Sequence, residues 1–220
     1  MKFKMILILS FFQVLVFLSQ GQTPFFSEIQ HFKEIDSLNP PKKSAILFVG
    51  SSSFTKWTDV QSYFPDFSII NRGFGGSSLP DVIRFADDII FPYQPKQIVI
   101  YCGENDLATA DTSISGTMVF ERFKKLYSLI RANMPTVPIA YVSMKPSPSR
   151  KKLFIKMIEG NMLIKKFLNQ EKNTSFINVF DAMFTPDGSV MRDIFIADDL
   201  HMNAKGYSIW QKIIEPYLLK

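Results

Sequence analysis

The chain has 220 residues, of which 46% are hydrophobic, so it is long enough to bury the core of one domain and too apolar to remain disordered. Its formal net charge of +5 is small, and the basic residues are scattered along the chain, which argues against a nucleic-acid partner. One cysteine and two histidines, far apart in the sequence, provide neither an internal disulfide nor a set of metal ligands.

Residues 1–21 have the pattern of a secretory signal peptide. Lys2 and Lys4 precede a mostly apolar run over residues 5–18, and the small residues Ser19 and Gly21 stand where a signal peptidase cuts. We expect cleavage after Gly21, which lowers the net charge to +3 and predicts a secreted or periplasmic protein with no stable membrane span. The alternative is an uncleaved anchor, although the apolar run is short for a span.

The remaining chain divides into a leader, residues 22–43, and a main domain, residues 44–220. Pro40 and Pro41 separate the leader from the first predicted strand, and we expect the leader to pack on the outside of the domain. His31 lies in this leader, far from any strand end, so we interpret it as a surface or capping residue.

Five short apolar runs are typical of buried strands in a parallel sheet, whose two faces are both covered. These runs are Ala45–Val49, Phe67–Ile70, Gln97–Tyr101, Ile139–Val142 and Ser175–Val179. Helical spacing is found in Phe54–Phe64, Leu79–Ile90, Gly116–Met134, Pro148–Asn169 and Ala204–Leu219, the last with a bend expected at Pro216. The alternation predicts an α/β fold: three α/β/α layers, flavodoxin-like, with a five-stranded parallel sheet. Cys102 ends the third run and is interpreted as a buried strand residue, not a thiol nucleophile.

Polar and glycine-rich segments follow the first three predicted strands. Gly50–Ser53 follows the first strand, Asn71–Ser77 the second and Gly103–Asp106 the third. In a flavodoxin-like sheet these strands have the order 2-1-3, and ligands bind beyond the carboxyl ends of the strands at this switch point. A serine is therefore predicted to lie between a glycine-rich turn and an asparagine at one edge of the sheet.

Acyl transfer is the chemistry that this arrangement suits. A serine hydroxyl attacks a carbonyl carbon, and the resulting oxyanion needs hydrogen-bond donors that are already aimed at it. The candidate donors are the backbone N–H groups of Ser52 and Gly76 and the side-chain amide of Asn105. His201 is the candidate base, and Asp198, three residues earlier, is placed to hold its imidazole in one tautomer.

Four segments together resemble the sequence blocks of the SGNH hydrolase superfamily, the GDSL esterases and lipases, including its platelet-activating-factor acetylhydrolase-like branch. In chain order they are Gly50–Ser53, Asn71–Gly76, Gly103–Asp106 and Asp198–His201. The resemblance implies a flavodoxin-like fold, no metal or other cofactor, and ester hydrolysis or deacetylation. By position it also implies a catalytic triad and an oxyanion hole, formed by Ser52, Asp198 and His201 and by Ser52, Gly76 and Asn105, respectively.

One position departs from the family pattern. An aspartate usually precedes the nucleophile, and Ser51 stands there instead. Our hypothesis is that hydrogen bonds of the Ser51 hydroxyl take over the role of that aspartate in holding the loop. Three consecutive serines also leave Ser51 and Ser53 as alternative nucleophiles, although the pattern Gly-x-Ser, counted from Gly50, gives Ser52.

The sequence excludes one alternative function and leaves a second one open. The glycine-rich segment Gly73–Gly76 lacks the Gly-Lys-Ser/Thr ending of a P-loop and fails the dinucleotide fingerprint, so no nucleotide cofactor is expected. A non-catalytic module that keeps the fold and binds a carbohydrate or acyl ligand remains an alternative, and Ser51 is its main support.

The substrate is predicted only by class. The length of the chain leaves little room for a lid or cap domain, which favours a short acyl group, above all acetyl, on a carbohydrate or lipid alcohol. Trp57 and Phe74 are candidate substrate contacts beside the site, with core packing as the alternative. The sequence does not predict the oligomeric state.

Overall fold

The computed structural model describes residues 24–220, so the predicted signal peptide lies outside the described residues. Its centre is a five-stranded sheet in which every pair of neighbouring strands is parallel. The strands are β1 (Ile46–Gly50), β2 (Ile69–Gly73), β3 (Gln97–Tyr101), β4 (Ile139–Val142) and β5 (Thr174–Ile177). Their order across the sheet is β2-β1-β3-β4-β5. The predicted fold class is thus confirmed, with strand ends that differ from the predicted ones by at most three residues.

Helices connect the strands and cover both faces of the sheet. The α-helices within residues 24–220 are α1 (Phe26–Leu38), α2 (Ser52–Thr55), α3 (Val60–Tyr63), α4 (Leu79–Arg84), α5 (Ala86–Ile89), α6 (Glu104–Leu107), α7 (Gly116–Asn133), α8 (Phe154–Leu168) and α9 (Ala204–Ile214). Short 3-10 turns are formed by Phe91–Tyr93, Pro148–Leu153, Asp181–Met183, Arg192–Ile194 and Glu215–Tyr217. The last of these turns contains Pro216 and marks the expected bend at the end of the final helix.

Three predicted helices are interrupted in the structure. The segment Leu79–Ile90 forms α4 and α5 because Phe85, between them, has non-helical dihedral angles (φ −101°, ψ 12°). The segment Phe54–Phe64 similarly contains two short helices instead of one. In Pro148–Asn169 the α-helix begins only at Phe154, after a 3-10 turn in which Arg150 leaves the helical region (φ −112°, ψ 20°).

The core consists of two hydrophobic clusters, one on each face of the sheet. Successive residues of a strand point to opposite faces. Accordingly Leu47 and Val49 of β1 belong to the cluster beneath α4 and α7, whereas Ile46 and Phe48 belong to the cluster beneath α9. Both faces of β1 are therefore buried, which explains why this strand is a continuous apolar run.

The leader forms α1 and joins the first cluster. Ile29 is 1% exposed and packs in the same cluster as Leu47 and Val49 of β1. Asp36 forms an ion pair with Arg72 of β2 and accepts a hydrogen bond of 2.6 Å from the hydroxyl of Tyr93. His31 points to solvent on the outer side of this helix. The leader is thus attached to the domain by core packing as well as by charge.

No helix in the described part of the chain combines the length and the apolar composition needed to cross a membrane.

Candidate active site

The site begins where β1, β2 and β3 end at the same level. Gly50 is in register with Gly73 of β2 and with Tyr101 of β3. The three loops that leave these residues therefore meet at the carboxyl edge of the sheet. These are the loops on which the sequence analysis placed the serine, the glycine-rich turn and the asparagine.

Gly50 makes the sharp turn from β1 into α2. Its φ is +136°, and a Cβ atom at this position would lie 1.9 Å from the carbonyl oxygen of Tyr101. Only glycine is compatible with that approach. The next residue, Ser51, donates its backbone N–H to the same carbonyl over 2.9 Å. The turn is thereby fixed, and α2 begins at Ser52.

The structure brings three of the predicted residues together at this edge. The Nε2 atom of His201 lies 2.9 Å from the Oγ atom of Ser52. The other ring nitrogen, Nδ1, lies 2.6 Å from Oδ2 of Asp198. Both distances are hydrogen-bonding distances, so the serine hydroxyl, the imidazole and the carboxylate form one continuous chain. The serine and the histidine are 149 residues apart in the sequence.

A short hairpin-like loop presents the histidine. Phe195 and Met202 form an isolated antiparallel bridge, and the residues between them carry Asp198 and His201. Directly after the loop, the side chain of Asn203 accepts hydrogen bonds from two backbone N–H groups of α9 and caps this helix. Within α9, the hydroxyl of Tyr207 donates to the carbonyl oxygen of Ser53 in α2 over 2.9 Å. Helix α9 therefore ties the histidine loop to the serine turn.

Asp198 is held in its ionised form. Its Oδ1 atom accepts backbone hydrogen bonds of 2.9 Å from Leu200 and from His201, while Oδ2 faces the imidazole. Desolvation raises the pKa of this carboxyl, but the hydrogen bonds from His201 and Leu200 outweigh it and lower the pKa to about 2. The carboxylate is thus charged at neutral pH, and it favours the imidazole tautomer in which Nδ1 carries the proton.

The predicted oxyanion donors lie on the loops that follow β1, β2 and β3 at this edge of the sheet. Ser52 is the first residue of α2, where backbone N–H groups have no partner within the helix. Gly76 is exposed and has φ +71°, a conformation that favours glycine even though no atom lies within 4 Å of a Cβ built there. The Asn105 amide donates to the Oγ atom of Ser51 over 2.6 Å and to the carbonyl oxygen of Ser77 over 3.0 Å.

Burial favours core packing, the alternative interpretation, for both candidate substrate contacts. Trp57 and Phe74 are both 0% exposed, so neither offers a surface that a substrate can touch in this structure. Trp57 stacks on Tyr207 with ring centroids 4.8 Å apart, in the cluster beneath α9. Phe74 packs edge-on against Phe25 and Phe85 in the opposite cluster. Each lies in or close to a segment that carries site residues, but its ring turns inward because burial of an aromatic side chain is strongly favourable.

Cys102 is buried as expected, one residue beyond the end of β3. Burial raises the pKa of its thiol well above the ordinary value, so the reactive thiolate form is suppressed.

A buried group of charges beside Asn105 was not predicted. The Nη2 atom of Arg150 donates to Oδ1 of Asn105 over 2.7 Å. Glu104 accepts hydrogen bonds from Nζ of Lys145 over 3.1 Å and from the hydroxyl of Tyr101 over 2.5 Å. Burial raises the pKa of Glu104, but the charges of Lys145 and Arg150 outweigh burial and hold it below its ordinary value. Both cations follow β4, so the rule of examining strand ends would have found them if it had been applied to the fourth strand as well.

The leader supplies a second unpredicted contact. Oε2 of Glu28, in α1, accepts a hydrogen bond of 2.8 Å from the backbone N–H of Gly75, next to Gly76. The two residues are 47 positions apart, and no local sequence pattern predicts their contact.

Solved structures of other proteins share this fold. A protein of Streptococcus pneumonia, provisionally assigned as a platelet activating factor, aligns with a TM-score of 0.74 at 19% identity over 88% of this chain and 92% of that one. For a provisionally assigned acylhydrolase of Bacteroides fragilis the TM-score is 0.73 at 20% identity, over 87% and 96% of the two chains. For a GDSL-like lipase of Bacteroides thetaiotaomicron it is 0.70 at 19% identity, over 87% and 97%. The fold is therefore that of the GDSL, or SGNH, hydrolases.

A family model identifies the chain more specifically. The model of the GDSL-like Lipase/Acylhydrolase family matches residues 48–209, which include the serine turn, the asparagine and the histidine loop. The protein belongs to this family and is a hydrolase of the esterase type. None of the curated proteins matches the sequence.

Proposed function

We propose that this protein is an exported serine esterase that removes short acyl groups, above all acetyl, from a carbohydrate or lipid alcohol. The observation that carries the proposal is the chain of two short contacts, 2.9 Å from Ser52 Oγ to His201 Nε2 and 2.6 Å from His201 Nδ1 to Asp198. A serine hydroxyl that is hydrogen-bonded to an oriented imidazole is the arrangement of an activated nucleophile.

The reaction proceeds through an acyl-enzyme. His201 takes the proton of Ser52 as the hydroxyl oxygen attacks the carbonyl carbon of the ester, and the carbonyl oxygen becomes the oxyanion. The tetrahedral intermediate collapses when His201 returns the proton to the alcohol, which leaves. A water molecule, deprotonated by His201, then attacks the acyl-enzyme and releases the acid and the free serine.

In this proposal the oxyanion is held by the backbone N–H groups of Ser52 and Gly76 and by the amide of Asn105. The amide donates to Ser51 and Ser77 in the resting site, so an oxyanion shares or replaces one of these acceptors. The exchange costs little because one hydrogen bond substitutes for another, and the incoming acceptor is charged.

The proposed preference for a short acyl group is supported by other members of the fold. Three solved structures with the same fold are described as an acetyl esterase, a family 3 carbohydrate esterase of Clostridium thermocellum and an acetyl-xylooligosaccharide esterase of Geobacillus. A series of p-nitrophenyl esters of increasing acyl length measures this preference, and turnover should be highest for acetate. Export rests on residues 1–21, and amino-terminal sequencing of the mature protein should find cleavage after Gly21.

The central test is covalent labelling with a fluorophosphonate probe, which reacts with activated serines. We expect the wild-type protein to be labelled and to hydrolyse p-nitrophenyl acetate, and Ser52→Ala to do neither. Ser53→Ala is the matched control, since Ser53 is the neighbouring serine and is 1% exposed. Labelling that survives in Ser52→Ala would overturn the assignment of the nucleophile. A wild-type protein that is neither labelled nor active would favour the non-catalytic binding module.

A further inference from the structure

The amide of Asn105 is held at both of its ends. Its oxygen accepts the 2.7 Å hydrogen bond from Arg150, and its nitrogen donates to Ser51 and to Ser77. A rotation of the amide by 180° would set its N–H groups against the guanidinium, donor against donor, and its oxygen against the carbonyl of Ser77, acceptor against acceptor. The guanidinium therefore selects the orientation in which the N–H groups face the serine turn.

Arg150 is itself fixed by burial and charge. Its side chain is 15% exposed, and its Nη1 atom lies 3.7 Å from Oε2 of Glu104. That Nη1 atom is buried and finds no hydrogen-bond acceptor within residues 24–220. Lys145 approaches the same carboxylate more closely, at 3.1 Å, and already balances its charge. The positive charge of Arg150 is thus incompletely neutralised where little water screens it.

A cation on the amide oxygen also strengthens the amide as a donor. Hydrogen bonds in a chain polarise one another, and a charged donor at Oδ1 draws electron density away from the N–H groups of Asn105. Such donors matter most when negative charge develops on the substrate, since they stabilise the transition state more than the bound ester.

We infer that Arg150 is a positioning residue of the esterase, which orients and polarises the Asn105 amide for the oxyanion without touching the substrate. The inference rests on the proposed function, because it requires an oxyanion at this site. The inference assigns a role in catalysis to the segment after β4, which contributes no residue to the triad or to the oxyanion donors.

A double-mutant cycle tests this inference with p-nitrophenyl acetate as substrate. We expect N105A to lower kcat by about 10²–10³-fold, as the loss of an oxyanion donor does. R150M should lower kcat by about tenfold with little change in KM, because a charged hydrogen bond to the donor is lost. In the N105A background, R150M should change kcat by less than about twofold, because the group through which it acts is gone.

The matched control is R131M. Arg131 is also partly buried, but it donates to the carbonyl oxygens of Val137 and Asn173, at the opposite edge of the sheet. Thermal unfolding confirms that each variant is folded. If R150M does not fold, R150A, which also removes the charge and the hydrogen bond to Asn105, takes its place in the cycle under the same criterion.

The outcomes separate the inference from the proposed function. Equal effects of R150M in the wild-type and N105A backgrounds, an effect on KM alone, or an effect no larger than that of R131M would overturn the inference. If S52A is inactive in the same assay, the proposed function stands in each of those cases. Turnover by S52A at the wild-type rate would overturn both.

Discussion

Ser51 is the residue at which the site departs from the pattern of its family. It is 5% exposed, and its hydroxyl accepts the 2.6 Å hydrogen bond from Asn105. We expect Ser51→Ala to lower kcat about three- to tenfold, because a hydrogen bond of this kind contributes about 0.5–1.5 kcal/mol and the amide is then less firmly held. Steady-state hydrolysis of p-nitrophenyl acetate measures the effect.

Two further variants complete this experiment. Ser51→Asp restores the family residue and an acceptor for Asn105, so it should stay closer to the wild-type kcat than Ser51→Ala does. Ser147→Ala is the control, because Ser147 is also buried but its hydroxyl has no hydrogen-bond partner in the described part of the chain. A much larger loss in Ser51→Asp than in Ser51→Ala would contradict this view and show that the site requires a neutral residue before the nucleophile.

Single residues differ in how far the sequence alone predicts them. Gly50, Ser52 and the pair formed by Asp198 and His201 were predictable, because strand ends and short spacings bring them to one edge. The contact of Asn105 with Arg150 was not predictable: the end of β4 places Arg150 near this edge, but the pairing of residues 45 positions apart depends on the turn that follows β4. A contact between side chains on two different loops produces no periodic pattern in the sequence from which it could be predicted.

The segment between β1 and β2 illustrates the same limit for an element. Its helical spacing was visible, but the face that Trp57 would take was not. We now expect Trp57→Ala to lower the free energy of unfolding by about 3–5 kcal/mol, since it empties a site lined by Phe48, Phe64, Tyr207 and Trp210. Chemical denaturation measures this loss, and the KM of the folded enzyme should change little.

Trp57→Phe serves as the comparison for that variant. It keeps an aromatic ring and removes an indole N–H that is buried without an acceptor in the described residues, so its loss of stability should be clearly smaller. A rise in KM with unchanged stability in Trp57→Ala would instead restore the original interpretation of this residue as a substrate contact.

The central strands β1, β3 and β4 were predictable as elements because both of their faces are buried, which leaves apolar runs that no helical period disturbs. The edge strands β2 and β5 are only partly buried, and their predicted ends were less accurate. Breaks inside helices were harder. The apolar spacing of Leu79–Ile90 continues through Phe85, and only the backbone shows that α4 ends there. Tertiary packing decides such breaks, and local propensity does not.

For the molecule as a whole, α1 joins the amino-terminal leader, of which it is part, to the loop that carries Gly76. We expect Glu28→Ala to lower the melting temperature by about 2–4 °C and kcat several-fold, because the backbone N–H of Gly75 loses a charged acceptor at 2.8 Å. Glu34→Ala is the control on the same helix, since the side chain of Glu34 is 74% exposed. Identical melting temperatures and rates for the two variants would show that the leader only covers the surface.

The two ends of the described chain lie at opposite edges of the sheet. Helix α1 begins beside the site, where Phe25 packs on Phe74. The final residues lie at the other edge, where the backbone N–H of Leu219 donates to the side chain of Gln97, the first residue of β3, over 2.9 Å. We therefore expect a purification tag or a linker to a solid support attached after Lys220 to lie away from Ser52 and His201. The same addition ahead of α1 should lie closer to the site.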